Sequence, residues 1–203
     1  SNALRFQVQQ RMDEKNIKLI THRPSRSLRE ESITHGLISW SKLAYPEWGL
    51  SPSIYQFRTA ITQAIGNMDP IRADLLSRIV LSKNTTFALR PMDDVRPEML
   101  ERISNQAVFQ YQKIYSWIKD YQNNKSEVDV FLASFFGEIL SQPGFGFHEN
   151  YEGAEITGRL IESMQNFRKN TFSHFQKTGE NWALDYITML ENGLISALYL
   201  QIW

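Results

Sequence analysis

A chain of 203 residues, 42% apolar and 22% charged, has the composition of a globular protein with one well-buried core. Its 22 Lys and Arg equal its 22 Asp and Glu, which excludes a general electrostatic attraction to nucleic acid or an anionic membrane; such a contact needs a local basic patch. The lack of cysteine excludes disulfides, thiolate catalysis and cysteine-ligated zinc, and it fits the reducing cytoplasm, where we expect the protein to be.

The two ends of the chain predict a piece of a longer protein. Ser1, Asn2 and Ala3 resemble the remnant of a cleaved expression tag and are left out of the fold prediction. Amphipathic helical patterns run to both ends, over residues 4–14 and 183–203, whereas natural domains usually end in polar residues. No apolar run is long enough for a membrane span, and we expect no signal peptide, because no charged-then-apolar leader is present. We expect residues 4–203 to form a single helical domain without membrane contact.

The first elements are predicted to be a short helix and a brief strand. Apolar residues among Gln and Arg indicate the helix over residues 4–14, and alternation of Ile17, Leu19 and Thr21 indicates the strand. A turn is predicted at residues 23–27, because a proline disfavours helix at the residue before it.

Three short helices with clear start signals follow. The first begins near Glu30, carries apolar residues at helical spacing and ends before Pro46. Ser51-Pro52 combines a cap with a first-turn proline and starts the second helix, which Gly66 ends. Asp69-Pro70 repeats the same signature for the third.

The second half of the chain is predicted to hold four more helices. Residues 82–94 are irregular, and the longest apolar period then runs from Pro97 to about Asn123. Ser126 is expected to cap a helix that is apolar nearly all round, as a central core helix would be. After a loop at residues 142–147, two helices flank Gly179. The fold class is mainly α, an irregular bundle of seven or eight helices with at most one short strand near the N-terminus.

Patterns for catalysis and metal binding are missing from the sequence. It has no phosphate-binding loop, no dinucleotide fingerprint and no Gly-x-Ser-x-Gly nucleophile motif. The four histidines have no metal-ligand spacing, and the acidic pairs Glu30-Glu31 and Asp93-Asp94 are interpreted as helix-start residues. We therefore predict no catalytic residue, no metal ligand and no cofactor in this chain.

The best candidate contact is a group of five basic or titratable residues around a Pro-Ser turn, where arginine forks and serine hydroxyls can hold phosphate oxygens. The alternative is that the arginines nearest the helix pair with Glu30 and Glu31. The five residues are Lys18, His22, Arg23, Arg26 and Arg29.

Two aromatic groups leave further alternatives open. Phe145, Phe147 and Tyr151 have rings that can stack on bases, although a loop that packs its phenylalanines onto the core is the commoner arrangement. A second group is predicted either to fill the core or to line a small-molecule pocket. Its members are Trp117, Phe131, Phe135 and Phe136.

The order of these segments resembles the accessory insertion of UvrD/PcrA/Rep-type superfamily 1 helicases and their AddB/RecC-like inactivated relatives. Residues 16–19 are similar to the family's strand, and residues 28–46 are similar to the helix that opens with Arg-Glu and ends near a proline. Residues 155–164 resemble the helix by which such insertions return to the second motor half. The resemblance spans most of the chain.

This resemblance implies a non-catalytic accessory domain of a DNA recombination or repair protein. Its partners would be DNA, and the motor domains of the same chain or a partner nuclease or helicase subunit; ATP and Mg²⁺ would belong to those motor domains. The family's Gly-Ile-Gly duplex-gripping turn would fall at residues 90–95, which contain no glycine and two aspartates. Backbone amides approach a phosphate less closely there. The alternative from the residues alone is a free-standing ligand-binding or regulatory domain.

Overall fold

The computed structural model of the chain describes residues 27–81, 89–93 and 95–194. These residues form an irregular bundle of eight α-helices, which confirms the predicted fold class. The predicted helix at residues 4–14 and strand at residues 17–21 lie outside the described residues. The helices are α1 (Ser32–Ala44), α2 (Ile54–Ala64), α3 (Pro70–Val80), α4 (Pro97–Ile103), α5 (Asn105–Tyr121), α6 (Val128–Phe135), α7 (Tyr151–Thr178) and α8 (Trp182–Glu191).

The starts of α2 and α3 show how the caps operate. The Asp69 carboxylate accepts two first-turn N–H groups at 3.0 Å with Pro70 at the first position, as predicted. The cap of α2 is Ser53, so the predicted start at Ser51 is wrong by two residues. The Ser53 hydroxyl accepts the Gln56 N–H at 3.2 Å, and the Gln56 side-chain oxygen accepts the Ser53 N–H at 2.8 Å. Ser53, unlike Ser51, has a glutamine three residues later, which completes this reciprocal pair of hydrogen bonds.

The single long helix predicted from Pro97 to Asn123 is in fact two helices. Ser104 separates α4 from α5 with a φ of 100°, a left-handed value that is rare for a residue other than glycine. Its hydroxyl accepts the Ala107 N–H at 3.3 Å and caps α5. Leu100, Ile103 and Ala107 keep the spacing of three and four across the break, so the apolar period conceals it.

The helix predicted to be apolar nearly all round is α6, which continues as a π-helical turn over Phe136–Leu140. The predicted cap at Ser126 is wrong: Glu127 directly precedes the helix, and the Ser126 N–H donates to the Tyr121 hydroxyl at 2.9 Å. Val130 is 44% exposed, so one side of α6 reaches solvent.

The bundle is arranged around α1, of whose 13 residues 10 are buried. It packs against α2, α5, α6 and α7, whereas α6 itself packs chiefly against α7. The Trp40 ring, 1% exposed, lies 5.4 Å from the ring of Phe57 and 5.7 Å from that of Phe135. The central helix is therefore α1, with α6 beside it.

The predicted loop at residues 142–147 is fastened to the end of α2 by close backbone contacts. The Gly146 N–H donates to the Ala64 carbonyl at 2.9 Å, and the Gly66 N–H donates to the Gly144 carbonyl at 3.1 Å. A Cβ atom on Gly146 would overlap the Gln63 carbonyl oxygen, so only glycine permits this approach.

The longest described helix is α7, with 28 residues. Neither it nor any other helix in the described part of the chain is apolar over the length needed to cross a membrane.

Candidate nucleic-acid interface

Of the five residues predicted to contact phosphate, the structure describes Arg29. Lys18, His22, Arg23 and Arg26 lie outside the described residues. Arg29 is exposed on a 3₁₀ turn, Leu28–Glu30, directly ahead of α1. Leu28 beside it is 8% exposed and anchors this turn in the core. Arg29, the described member of the predicted group, therefore lies next to a residue that is anchored in the core.

The Arg29 side chain lies against the C-terminal end of α8. A Cβ atom on Gly193, in the turn that ends α8, would overlap its guanidinium. A helix C-terminus carries partial negative charge, so a cation is favourable there. The Arg29 carbonyl is also hydrogen-bonded to His35 Nε2 at 2.7 Å. Arg29 thus ties the start of α1 to the end of α8 while it remains exposed.

Of the acidic pair beside Arg29, Glu30 caps a helix start, whereas Glu31 directly precedes α1 without a side-chain capping bond. One Glu30 carboxylate oxygen accepts the Ser27 N–H at 3.2 Å and completes a reciprocal cap around the turn.

The aromatic loop is packed inward. Phe145 and Phe147 are each 5% exposed, so their rings are unavailable for stacking on bases. Tyr151, at the start of α7, is 88% exposed. The core-packing alternative therefore holds for the two phenylalanines.

In the aromatic group predicted either to fill the core or to line a pocket, three rings contact one another, whereas the fourth, that of Phe136, lies 5.7 Å from the ring of Phe147. The Trp117 ring lies 5.2 Å from that of Phe135 and 5.8 Å from that of Phe131, and its Nε1–H donates to the Glu138 carboxylate at 2.8 Å. Phe131 and Phe135 are fully buried. These rings fill the space between α5 and α6.

A cleft of about 530 Å³ lies elsewhere, between the end of α1, the loop before α6 and the start of α8. The stacked rings of Tyr45 and Trp48, 4.5 Å apart, line it together with Lys125, whose Nζ lies 5.7 Å from the Tyr45 ring centre and 2.5 Å from Glu47. Burial, reinforced by a hydrogen bond with Tyr121, raises the pKa of Tyr45 well above its ordinary 10.0. Tyr45 is therefore a neutral structural group, and Lys125 and Glu47 neutralise each other.

The C-terminal half of α7 extends beyond the core. Met164 is fully buried, whereas none of residues 165–178 is buried; we call these 14 residues the α7 extension. Its inner side contacts α8, where the Phe167 ring lies 5.4 Å from the ring of Tyr186 and 6.1 Å from that of Phe175. The opposite side is exposed.

Arg168 fixes the first turn of the α7 extension. Its Nη1 donates to the Asp129 carboxylate at 3.0 Å, and its guanidinium lies 5.4 Å from the centre of the Trp182 ring. Trp182 in turn donates from Nε1 to Glu127 at 2.9 Å. These contacts join the extension to the starts of both α6 and α8.

The α7 extension carries no carboxylate. The sequence has no Asp or Glu between Glu162 and Glu180, while the extension holds Arg168, Lys169 and Lys177. Local concentration of basic residues does not mark this surface in the sequence, because its three cations are spread over ten positions. The signal that reveals it is a run without acids in a chain that has as many acids as bases.

In the described ranges, no three His, Asp or Glu side chains lie close enough together to hold a metal ion. No protein-family model, curated protein or solved structure matches this chain.

Proposed function

We propose that this chain is a non-catalytic accessory domain of a helicase-like DNA recombination or repair protein, which contributes contact with DNA or with a partner subunit. ATP hydrolysis and Mg²⁺ would belong to motor domains of the same chain or of a partner nuclease or helicase subunit. The observation that carries the proposal is the uneven distribution of charged residues along the chain, although the net charge of the whole chain is zero.

Positive charge is concentrated at the start of the chain, in residues 1–29, which we call the basic segment. Seven of the 22 Lys and Arg lie in the first 29 residues, against two of the 22 Asp and Glu. The last of the seven, Arg29, is exposed where this segment meets the bundle, at the end of α8. A local excess of five positive charges attracts phosphate even when the whole chain is neutral.

Two structural features bear on the resemblance to helicase insertions. Helix α1, with Pro46 two residues after its end, covers most of the segment that resembles the family's Arg-Glu helix, although Arg29 and Glu30 lie in the 3₁₀ turn before it. At the position of the family's duplex-gripping turn, Met92 is 2% exposed and the Tyr111 hydroxyl donates to the Arg90 carbonyl at 2.6 Å. This turn packs into the bundle, so we assign DNA contact to the basic segment instead.

The test uses fluorescence anisotropy to measure the affinity of the full chain for labelled DNA between about 50 and 200 mM salt. Over this range the affinity that comes from phosphate contacts falls strongly, by about 10³-fold or more for six contacts. Replacement of Arg23, Arg26 and Arg29 by Ala should weaken binding and reduce the slope of log K against log salt by about 1 for each arginine that pairs with a phosphate. Because Arg29 also contacts α8, the Arg23→Ala/Arg26→Ala variant is measured in parallel.

A matched control replaces three exposed arginines elsewhere, Arg72, Arg96 and Arg102, by Ala. It removes the same charge from α3 and from α4 with its preceding residue, and it should leave the salt slope nearly unchanged. Undetectable DNA binding at low salt, or equal weakening in both triple variants, contradicts the assignment to the basic segment.

The alternative function, a free-standing ligand-binding or regulatory domain, would use the cleft beside Tyr45 and Trp48. The result that would distinguish it is a compound from a small-molecule library that raises the melting temperature of the chain. This rise should be absent in a Val130→Arg variant. Val130 lines the cleft and is exposed, so the arginine should block it without unfolding the bundle.

A further inference from the structure

We infer that the α7 extension is a second contact surface, which binds the phosphate backbone of double-stranded DNA. The inference rests on the proposed function, because it supposes a DNA partner. It adds a site that shares no residue with the basic segment at the start of the chain. The two surfaces lie at opposite ends of α8: Arg29 at its C-terminal end, and the α7 extension beside its start.

The outward side of the α7 extension offers only hydroxyl, amide and ammonium groups, all of which can donate hydrogen bonds. Six exposed residues lie at spacings that place them on one helical face, opposite Phe167 and Phe175. Side chains of these types are among those that donate hydrogen bonds to DNA phosphates. The six are Asn166, Lys169, Asn170, Ser173, Gln176 and Lys177.

The two lysines are placed to reach separate phosphates. They are eight positions apart on that face, about 12 Å along the helix axis at the usual rise per residue. In the part of the chain that the structure describes, neither ammonium group has an ion pair, whereas Arg168 is engaged by Asp129. Both charges are therefore available to a ligand.

Solvation and the helix dipole explain this surface only in part. The dipole favours cations within the last turn, which accounts for Lys177 but not for Lys169, nine residues before the end of α7. A merely solvated face usually mixes both signs of charge. The first half of α7 does so, with Glu152, Glu155 and Arg159. Charge of one sign over the extension thus favours an anionic partner.

The shape of the α7 extension favours a duplex over other anionic partners. It is a convex rod about 21 Å long, packed on one side only, and the major groove of B-DNA admits an α-helix. Sites for single strands are grooves with several stacked aromatic rings, whereas the extension has one largely exposed ring, Phe172 at 61%. A protein interface would need an apolar centre, whereas helical spacing places Phe172 at the flank of the outward face and not at its centre.

The test compares the full chain with its Lys169→Ala/Lys177→Ala variant in anisotropy titrations of a labelled 20-base-pair duplex and of one of its strands. We expect the duplex salt slope to fall by about 2, one unit for each lysine that pairs with a phosphate. The control, Lys113→Ala/Lys119→Ala, removes two exposed lysines from α5 and should keep the wild-type slope. Thermal unfolding of each variant checks that the bundle is intact.

The outcomes separate this inference from the proposed function. If the chain binds duplex and only the basic-segment variants weaken binding, the α7 contact is overturned while the proposed function stands. If the chain binds no DNA at low salt, both are overturned. Tighter binding of the single strand than of the duplex also overturns the inference. A reduced slope in Lys169→Ala/Lys177→Ala, together with an unchanged slope in the α5 control, supports it.

Discussion

Replacement of Arg168 by methionine tests how the α7 extension is held. The carboxylate of its partner, Asp129, is 1% exposed, and one oxygen accepts Arg168 Nη1 at 3.0 Å. The other carboxylate oxygen has no hydrogen-bond partner among the described residues. The arginine is thus the main compensation for a buried negative charge.

The expected loss of stability follows from this geometry. Removal of one partner from a buried pair costs about 3–5 kcal/mol, because the remaining charge stays buried and uncompensated. The Arg168 side chain is 34% exposed, so solvent already screens part of the pair. We therefore expect Arg168→Met to lower the free energy of unfolding by about 2–3 kcal/mol.

The assay is urea unfolding, with tryptophan fluorescence as the readout, of Arg168→Met, Asp129→Asn and the double variant. Asparagine removes the buried charge, so the double variant should be more stable than Arg168→Met, with a coupling energy of at least about 1 kcal/mol. Equal m-values for the wild type and the variants would show that the substitutions change the free energy of unfolding and not the surface exposed on unfolding. A double variant no more stable than Arg168→Met would refute the explanation by buried charge.

Five further substitutions, in three experiments, test the fold. Gly146→Ala should lose about 2 kcal/mol or more by overlap with backbone, whereas Gly158→Ala, in open space within α7, should gain up to about 1 kcal/mol by reducing chain entropy; thermal melts compare the two. Burial raises the pKa of Tyr111 well above its ordinary 10.0, so the folded state keeps this proton and loses stability as the pH rises above 10. Tyr111→Phe should reduce that loss by up to about 1.4 kcal/mol per pH unit, and an unchanged alkaline slope would contradict it. In the ion pair of Lys42, 7% exposed, with Glu191, 31% exposed, Glu191→Ala should cost about 3 kcal/mol and Lys42→Met less than about 1, since only the first leaves a buried charge; the reverse order in urea unfolding would be evidence against this.

Local signals predicted the helices well where one side chain determines a boundary. Asp69 and Pro70 start α3 as expected, because the carboxylate satisfies N–H groups of the first turn whatever the rest of the fold does. The break at Ser104 escaped prediction, since the apolar period continues across it and the left-handed conformation leaves no mark on periodicity. Tertiary packing placed α1 at the centre of the bundle, although α6 has the more apolar sequence.

The candidate surfaces differ in how far sequence could reveal them. The basic segment stands out as a local concentration of arginine, and Arg29 remains its described end. The α7 extension depends on knowing where burial stops along one helix. Met164 is the last buried residue of α7, and the amphipathic pattern continues beyond it because Phe167 and Phe175 still lie on the side that faces α8. Periodicity alone therefore gives no sign that the core has ended.

The loop at residues 142–147 has a mechanical consequence for α7. It is bonded to the end of α2 through Gly146, and its Phe147 ring presses on the first turn of α7, where a side chain on Gly153 would have no room. A second point of attachment lies at Arg168, about 22 Å farther along the helix, where Asp129 and Trp182 hold the guanidinium. This rod of about 42 Å is therefore fixed at both places, and a load on the turns beyond Arg168 would reach α6 and α8 before it reached Phe147 and α2.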